Sequence, residues 1–443
     1  MSDATSTTPA CPPVTSPDLT TFARVDALGL RVDAQQIWPD KAILFCSLVT
    51  VDDRCPRCGA GGRVHDQVLR RFTHLPVGRR PTWLSVRVPR FRCDGCGRVW
   101  RHSLKTVARP RSKLTRAADW WALCQVVLDH TPISGVAAVL GISWDTAHMA
   151  VTDVGTQLLI DHPGRLDGVE VVGVDEHAWR HTRKGDKYVT VVIDLTPIRD
   201  DTGPARLLDM VEGRSKQAFK TWLAGRPKEW RANVEVVAMD GFTGFKTATT
   251  EELPDATPVL DPFHVVRLAG DALDQCRRRV QQTLHGHRGR AADPLYRARR
   301  MLHTGLDLLT PRQKTRLEAL FAGDDHVEVE TTWGIYQQMI AAYREPDKAK
   351  GKTLMQAVIT AIGNGVPGVL IEVITLGRTL KKRAADILAY FDLPGTSNGP
   401  TEALNGRLEH LRGSALGFRN LTHYIARSLL ETGGFRPRLH RGL

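Results

Sequence analysis

The stretch from Val169 to Leu195, VEVVGVDEHAWRHTRKGDKYVTVVIDL, constrains the fold more than any other. An apolar, β-branched run reaches Asp175, a charged break follows, and a second apolar run extends from Tyr188 to Leu195. This is the pattern of a strand, a hairpin-like connection and a strand. A strand buried on both faces that presents Asp175 and Glu176 at its carboxyl end puts negative charge on the rim of a sheet, where a divalent cation can bind. A lone aspartate there is more simply a turn acid in solvent. Two further segments change the balance. Val234 to Met239 (VEVVAM) is another buried-type strand that runs into Asp240, and Ser397 to Gly406 (SNGPTEALNG) starts a helix with Glu402 in its first turn. Three acids thus stand at the ends of three elements.

The order of elements around these acids fits a ribonuclease H-like α/β domain. After the first two strands, Arg206 to Val211 reads as a third, Ser215 to Leu223 as a crossover helix and Val234 to Met239 as the next strand. Thr257 to Leu260 then leads into Asp261 and a helix from Phe263. Asp240 and Glu402 are 162 residues apart, far more than one strand and one helix require. Residues 265–395 have helical periodicity and are rich in Leu, Ala, Arg and Lys, so a helical insertion is expected there. Within it, HGHRGR (His285 to Arg290) reads as a basic loop, and TLKKRAADIL (Thr379 to Leu388) as a helix with a basic side. Pro400 suits the first helical position and puts Glu402 in the third, where its charge favours the helix amino terminus. An ordinary first-turn glutamate would look the same. Asn405 and Glu409 share its face, and Arg412 and Arg419 follow close to that site, where they are expected to contact DNA.

The excess charge lies elsewhere. Of a formal net charge of +13, the segment from Arg54 to Arg116 carries 17 Lys and Arg against Asp66 and Asp94. Such a block suits phosphate neutralisation, although an anionic lipid surface or a solvated face would show the same count. Within this segment Cys55 and Cys58 form CPRC, and Cys93 and Cys96 form CDGC, each pair followed by glycine. Two such knuckles make a four-cysteine zinc site, and the β-leaning run between them (TWLSVRVPRFR, Thr82 to Arg92) fits a zinc ribbon. Reduced CxxC turns without metal are the plainer alternative. Cys46, Cys124 and Cys276 fall in apolar or helical contexts and read as packing residues.

Three helices are expected next. Arg116 to His130 has apolar residues at helical spacing. Thr131 and Pro132 open a second helix, Gly141 ends it, and Ser143 caps a third that begins at Trp144 and turns Ala147, Val151 and Leu158 inward. Helix, short glycine turn, helix is the helix-turn-helix pattern, offering Ser143, Trp144, Asp145, Thr146, His148 and Met149 to a DNA groove. A compact helical bundle gives similar spacing. Directly after a basic ribbon, the DNA-binding alternative gains weight.

Met1 to Pro17 is rich in Ser, Thr and Pro and reads as a disordered tail, and no stretch reads as a signal peptide or a membrane span. The most apolar later region, Val366 to Leu376, is short and contains Glu372.

Taken together, GVDEHAWR, the strand ending in MD, DPFHVVR at Asp261 to Arg267 and SNGPTEALNGRLEHLRGSALGFRN resemble insertion-sequence transposases of the ISL-three type. That family also begins with paired CxxC knuckles and a helix-turn-helix. Gly241 and Gly413 depart from its pattern, as does Leu416 where an aromatic is frequent. The resemblance implies a DNA transposase of the DDE type with Asp175, Asp240 and Glu402 as catalytic acids holding Mg²⁺ or Mn²⁺. It also implies a structural zinc, double-stranded DNA (terminal inverted repeats and target) as partner, and a homodimer or larger assembly on DNA. The expected division is a tail over 1–20, a zinc ribbon over 21–112 and a helix-turn-helix over 113–165. A ribonuclease H-like domain over 166–264 and 396–443 is interrupted by the insertion at 265–395. Such a protein would be cytoplasmic in a bacterium and nucleoid-associated when bound to DNA. A transposase-derived DNA-binding regulator and a metal-dependent nuclease of the same fold are the competing expectations.

Overall fold

Alternating apolar and charged residues build the first of two mixed sheets. The computed structural model describes residues 16–180, 187–393, 395–415 and 417–440. They fall into two units, one of residues 16–162 with 435–440 and one of residues 163–434. The tail expected over 1–20 lies mostly outside the described residues, and Leu416 lies outside them entirely.

In the first unit, β1 (Leu30–Ile37), β2 (Ala42–Leu48), β3 (Gly62–Val77), β4 (Arg80–Cys93) and β5 (Val99–Arg101) form one sheet in the order β1-β2-β4-β3, with β5 on β4. β2 and β4 run parallel and the other pairs antiparallel. Gly78 and Arg79, both at positive φ (55° and 65°), make the two-residue turn between the long strands β3 and β4. Two left-handed residues match the twist of a hairpin. Leu84, Val86 and Val88 alternate along β4 and are fully buried, packing with Val25, Leu30, Leu44 and Phe72.

Three helices follow: α1 (Arg116–Val127), α2 (Ile133–Leu140) and α3 (Trp144–Gly155). The Thr115 hydroxyl caps α1 by accepting from the Ala118 amide at 3.2 Å. At the start of α2, Pro132 occupies the N-cap position and no side chain caps the helix. Gly141, left-handed at φ 63°, ends it, and the Ser143 hydroxyl accepts from the Thr146 amide at 3.3 Å to start α3. Ala147 and Val151 are buried as the spacing predicts, but Leu158 is exposed and Leu159 takes its place. The reason is local: residues Thr156–Ile160 form a π-turn, whose extra residue rotates the apolar side by one position.

The second unit holds the other sheet, in the order β10-β9-β6-β7-β8. Its strands are β6 (Val171–Ala178), β7 (Tyr188–Asp194), β8 (Arg206–Glu212), β9 (Val236–Met239) and β10 (Thr257–Leu260). The expected antiparallel triplet β6-β7-β8 and the parallel additions β9 and β10 are both present. Helix α4 (Lys216–Ala224) stands where the spacing predicts a crossover. Helices α5 (Lys228–Asn233) and α6 (Thr243–Glu252), not expected from sequence, complete the connections around β9. Val172, Val174, Val192, Phe219, Trp222, Val237 and Phe245 form the core between sheet and helices.

Asp175 does not end its strand. The parallel ladder with β9 stops at Val174↔Met239, but the antiparallel ladder with β7 continues through Glu176↔Thr190 to Ala178↔Tyr188 and keeps β6 extended three residues further. The hairpin connection after Arg180 lies largely outside the described residues.

From Pro262 to Asp392 the described residues contain no strand. Helix α7 (Pro262–His285) is followed by α8 (Pro294–Leu302), α9 (Pro311–Phe321), α10 (Val327–Arg344), α11 (Lys348–Gly363), α12 (Ile371–Lys382) and α13 (Ala384–Asp392). Their shared core includes Leu273, Val280, Met339, Met355, Val373 and Leu380. The basic-sided helix expected over Thr379 to Leu388 is broken at Arg383, which is buried because its Nε donates to Asp386 at 2.6 Å. Two helices complete this unit, α14 (Gly399–Ser414) and α15 (Leu421–Thr432). With Asn398 as N-cap, Glu402 is the fourth helical residue rather than the third. Cys46, Cys124 and Cys276 are all buried, consistent with packing. Among the described residues no helix is long and apolar enough to cross a membrane.

Candidate metal centres

The pairing Gly62↔Cys93 brings the two CxxC knuckles of the first unit together. Gly59 and Gly97, at φ 74° and 70°, let each knuckle close, and their amides donate to the Cys55 and Cys93 carbonyls. Cys55, Cys58, Cys93 and Cys96 direct their Sγ atoms to one point, all within 4.8 Å of one another. The sulfurs of Cys55 and Cys96 are 3.7 Å apart, those of Cys58 and Cys93 3.4 Å, and those of Cys58 and Cys96 3.7 Å. Four sulfurs each about 2.3 Å from a tetrahedral zinc would stand roughly 3.8 Å apart, close to these three separations. Burial works against ionising Cys55, yet the Arg57 and Cys58 amides bring its thiol down to about 6. The Cys96 amide lowers Cys93 as well. Ligand thiols must be deprotonated, and the backbone favours that form at Cys55 and Cys93; at Cys58 the Ala60 amide acts the same way, but the Cys93 and Cys96 sulfurs outweigh it and push the thiol up to about 12.

The second centre is built on β6 and β9. Because these strands are parallel and their last rung is Val174↔Met239, Asp175 and Asp240 are the next residues on adjacent strands. Asp175 is 8% exposed and Asp240 half-buried. Burial pushes the Asp175 carboxyl up to about 7, and the neighbouring charge of Asp240 adds to the effect. Burial also raises Asp240, with His264 and Arg383 acting the other way. Paired carboxylate oxygens on neighbouring strands, held against their preference for the neutral form, are the type of donor a hard divalent cation takes.

Hydrogen bonds orient both carboxylates. Asp175 accepts from the Glu176 amide at 2.8 Å and from Asn405 Nδ2 of α14 at 3.1 Å. Asp240 accepts from the Phe242 amide at 2.9 Å through Oδ1, and its Oδ2 has no hydrogen-bond partner among the described residues. Helix α14 is fixed at its start as well, since Asn398 donates from its side chain to the Val174 carbonyl at 3.5 Å and from its backbone to Asp261 at 2.7 Å. Positions 398, 402 and 405 follow helical spacing, so Glu402 lies on the face between the two asparagines. The Glu402 side chain is exposed, and among the described residues only the four cysteines form a metal-type group of three or more within 4.8 Å. The fold therefore joins Asp175 and Asp240 and orients the helix of Glu402 toward them, without closing the third carboxylate onto the pair.

Sequence spacing does not single out the supporting residues. Asp261 is buried, caps α7 by accepting from the His264 amide at 3.3 Å, and takes the Asn398 amide with its other oxygen. The His264 ring lies 3.2 Å from the same carboxylate, which raises its basicity, with the charges of Asp240 and Asp175 contributing. His177, two residues after Asp175 and thus on the same strand face, meets the Tyr424 hydroxyl of α15 at 2.8 Å. Arg383 donates to the Gly241 carbonyl at 3.4 Å, beside Asp240. The DPFHVVR motif was the one signal that pointed to Asp261 and His264.

Of the residues expected to meet DNA, Trp144 (49% exposed), Ser143 and Arg419 are on the surface, and Thr146 is half-buried. His148 is buried and stacks against Trp144 at 4.8 Å, so it supports the indole and does not reach outward. Arg412 is largely enclosed, donating to the Ala178 carbonyl at 2.6 Å and pairing with Glu409. It ties α14 to the end of β6.

Comparison with known proteins matches the segments in which both centres lie. Residues 52–96 match the family model of the zinc finger of transposases IS204, IS1001, IS1096 and IS1165, and residues 172–428 match the ISL3 (ISL-three) model, described as a transposase. Over 93% of its length the chain is 28% identical to the transposase for insertion sequence element IS1557 of Mycobacterium tuberculosis, covering 90% of it, in strains CDC 1551 and H37Rv alike. It is 25% identical to the transposase for insertion sequence element IS1001 of Bordetella parapertussis over 84% of its own length and 86% of that protein. The family match begins at β6, runs past α14 and so takes in all three acids, and with it the chain belongs to the ISL3 transposase family.

Proposed function

We propose that this protein binds the terminal repeats of an insertion sequence and catalyses metal-dependent cleavage and transfer of its DNA strands. The observation that carries this reading is the juxtaposition of Asp175 and Asp240 one residue beyond the last parallel rung, with Asn405 of α14 bonded to Asp175 and Glu402 one turn earlier. Asp175, Asp240 and Glu402 are assigned as the catalytic acids. They would hold Mg²⁺ or Mn²⁺, which supplies activation of the attacking oxygen and stabilisation of the leaving one in an in-line phosphodiester displacement. The chain's own contribution is orientation. Asn405 and the Glu176 amide fix the Asp175 carboxylate, the Phe242 amide fixes Asp240, and the Asn398 contacts set α14 so that Glu402 completes the set when DNA and metal arrive.

The strand order supports a ribonuclease H-like catalytic domain over 166–264 and 396–443, with residues 265–395 inserted, except that residues 435–440 group with the first unit. The zinc ribbon, over 21–112, and a helix-turn-helix over 113–165 would hold the repeat, with α3 as its recognition helix and Ser143, Trp144 and Thr146 toward the groove. A transposase has two DNA ends to bring together, so a dimer or larger assembly on DNA is part of the proposal, as is a cytoplasmic, nucleoid-bound location. The test is an assay that joins labelled terminal-repeat DNA, taken from the element's flanks, to a plasmid in Mg²⁺. Joining supports the proposal. Nicking without joining would replace it with a nuclease, and binding alone with a DNA-binding regulator.

A further inference from the structure

The helical stretch 262–392 carries a concentration of positive charge that the acid centre does not use. Between Arg277 and His303 there are eight arginines and one carboxylate, Asp293. Five of these arginines gather around one concave surface. An open cavity of about 740 Å³ between α7 and α8 is lined by Arg277, Arg278, Arg288, Tyr296, Arg299 and Arg300.

The floor and the walls of this cavity differ in their chemistry. Arg277 is buried and neutralised by Asp274 at 2.6 Å, and Arg278 shares the same carboxylate at 2.6 Å. This pairing uses up the only acid in the lining. Arg288, Arg299 and Arg300 have no carboxylate partner among the described residues, and Arg288 and Arg300 are exposed. The Arg299 guanidinium is not loose either: it lies 4.2 Å from the centre of the Tyr296 ring and donates to the Tyr296 carbonyl at 2.9 Å. A fork held over an aromatic face has lost part of its rotamer freedom before any ligand arrives, and its remaining donors suit phosphate oxygens. Three uncompensated guanidinium groups around one concave surface repel one another unless an anion lies between them.

Position narrows the choice of anion. Helix α7 starts at the acid centre, where His264 faces Asp175 and Asp240, and carries Asp274, Arg277 and Arg278 ten to fourteen residues later. At 1.5 Å per residue the cavity's α7 wall is roughly 15–20 Å from the acid pair along this helix. With 3.4 Å per nucleotide along one strand, that is about four to six nucleotides of DNA.

We infer that the α7–α8 cavity is a phosphate-binding cradle for the DNA flanking the strand held at the acid centre, with Arg288, Arg299 and Arg300 as its contacts. This inference rests on the DNA-processing role proposed above. The contact is to backbone and carries no base preference.

The experiment measures binding of the full-length protein to a mixed-sequence DNA duplex at several salt concentrations. Each phosphate contact contributes about 0.9 to the slope of log affinity against log salt. The triple variant Arg288→Gln, Arg299→Gln, Arg300→Gln is expected to reduce that slope by about two to three, and the Arg288→Lys, Arg299→Lys, Arg300→Lys variant to keep most of it. Retention by lysine separates a charge effect from damage to the fold. A slope unchanged in the glutamine variant, with the unaltered protein binding normally, overturns the cradle and leaves the DNA-processing role standing. If the unaltered protein shows no salt-dependent binding at all, both are overturned.

Discussion

Asn405 Nδ2 donates to Asp175 Oδ2 at 3.1 Å, joining residues 230 positions apart in the chain. The bond determines which way the carboxylate faces before a cation arrives. Groups of this kind around metal ligands alter affinity or activity by roughly 10–100-fold. Asn405→Ala is expected to shift the Mg²⁺ dependence of cleavage to higher concentration while recovering much of the rate at saturation. A rate lost equally at every Mg²⁺ concentration would assign the amide to another task.

Replacing Asp175, Asp240 or Glu402 by Ala is expected to abolish cleavage and joining and to leave DNA binding nearly intact, since each would remove a ligand from the proposed shared metal site. Glu409 provides the comparison. It lies two turns beyond Glu402 and is already paired with Arg412, so Glu409→Ala should lose much less. Strand-transfer assays of the four variants in parallel would reveal a misassigned third acid as an active Glu402→Ala beside a dead Glu409→Ala.

Asp261 has a different role from these acids. By position it ranks with Glu176 as a bystander, but Glu176 pairs at the surface with Arg214 at 3.2 Å, whereas Asp261 is buried with two backbone amides on its carboxylate. Removing it strands both donors, at a cost of about 1–3 kcal/mol for each buried group. Asp261→Ala should therefore lower the melting temperature clearly and Glu176→Ala hardly at all, as thermal unfolding followed by circular dichroism would show.

For the ribbon, one zinc per chain is expected by elemental analysis, and the double variant Cys93→Ser, Cys96→Ser should lose it. Metal binding at such a site is folding free energy. Chelation should thus destabilise the first unit while leaving the second sheet folded, which limited proteolysis can resolve.

His74 gives the first unit a pH dependence. Its ring is fully buried between the Thr115 hydroxyl at 2.9 Å and the Ala23 carbonyl at 2.7 Å, and burial lowers its pKa from the ordinary 6.5. Below pH 6.5 the unfolded chain takes up a proton that the folded state resists. Stability from this residue is fully present above pH 6.5 and is lost as pH falls from there toward the lower folded value. Denaturant midpoints between pH 5 and 8 should drop on the acid side, and His74→Gln should flatten that drop.

What could be read from the sequence followed strong periodicity. Strand runs such as VEVVAM and the glycine-closed CxxC knuckles have short-range signatures, and the structure has strands and a sulfur cluster where they predict them. Errors came where a partner distant in sequence decides. Asp175 looks like a strand terminus because the apolar run stops there, yet β7 holds β6 extended to Ala178. His148 looks like a groove contact from its helical spacing, but the Trp144 ring covers it. Arg383 reads as part of a solvated basic stripe, and Asp386 draws it inside. The asparagines that seat α14 on β6 have no local signature, because an amide's role depends on what packs against it.

The buried carboxylate of Asp261 has a topological consequence. The chain leaves the sheet at Asp261 to begin α7 and returns, at Asn398, to the other oxygen of the same side chain. Departure and return share one fastening point, so the stretch between them is a loop whose ends are already closed. Adding residues to such a loop changes its closure entropy only slowly, by about 0.6 kcal/mol for each doubling of length. Helices can be lengthened, lost or exchanged there over evolutionary time while the spacing between the β6 strand and the α14 helix stays fixed.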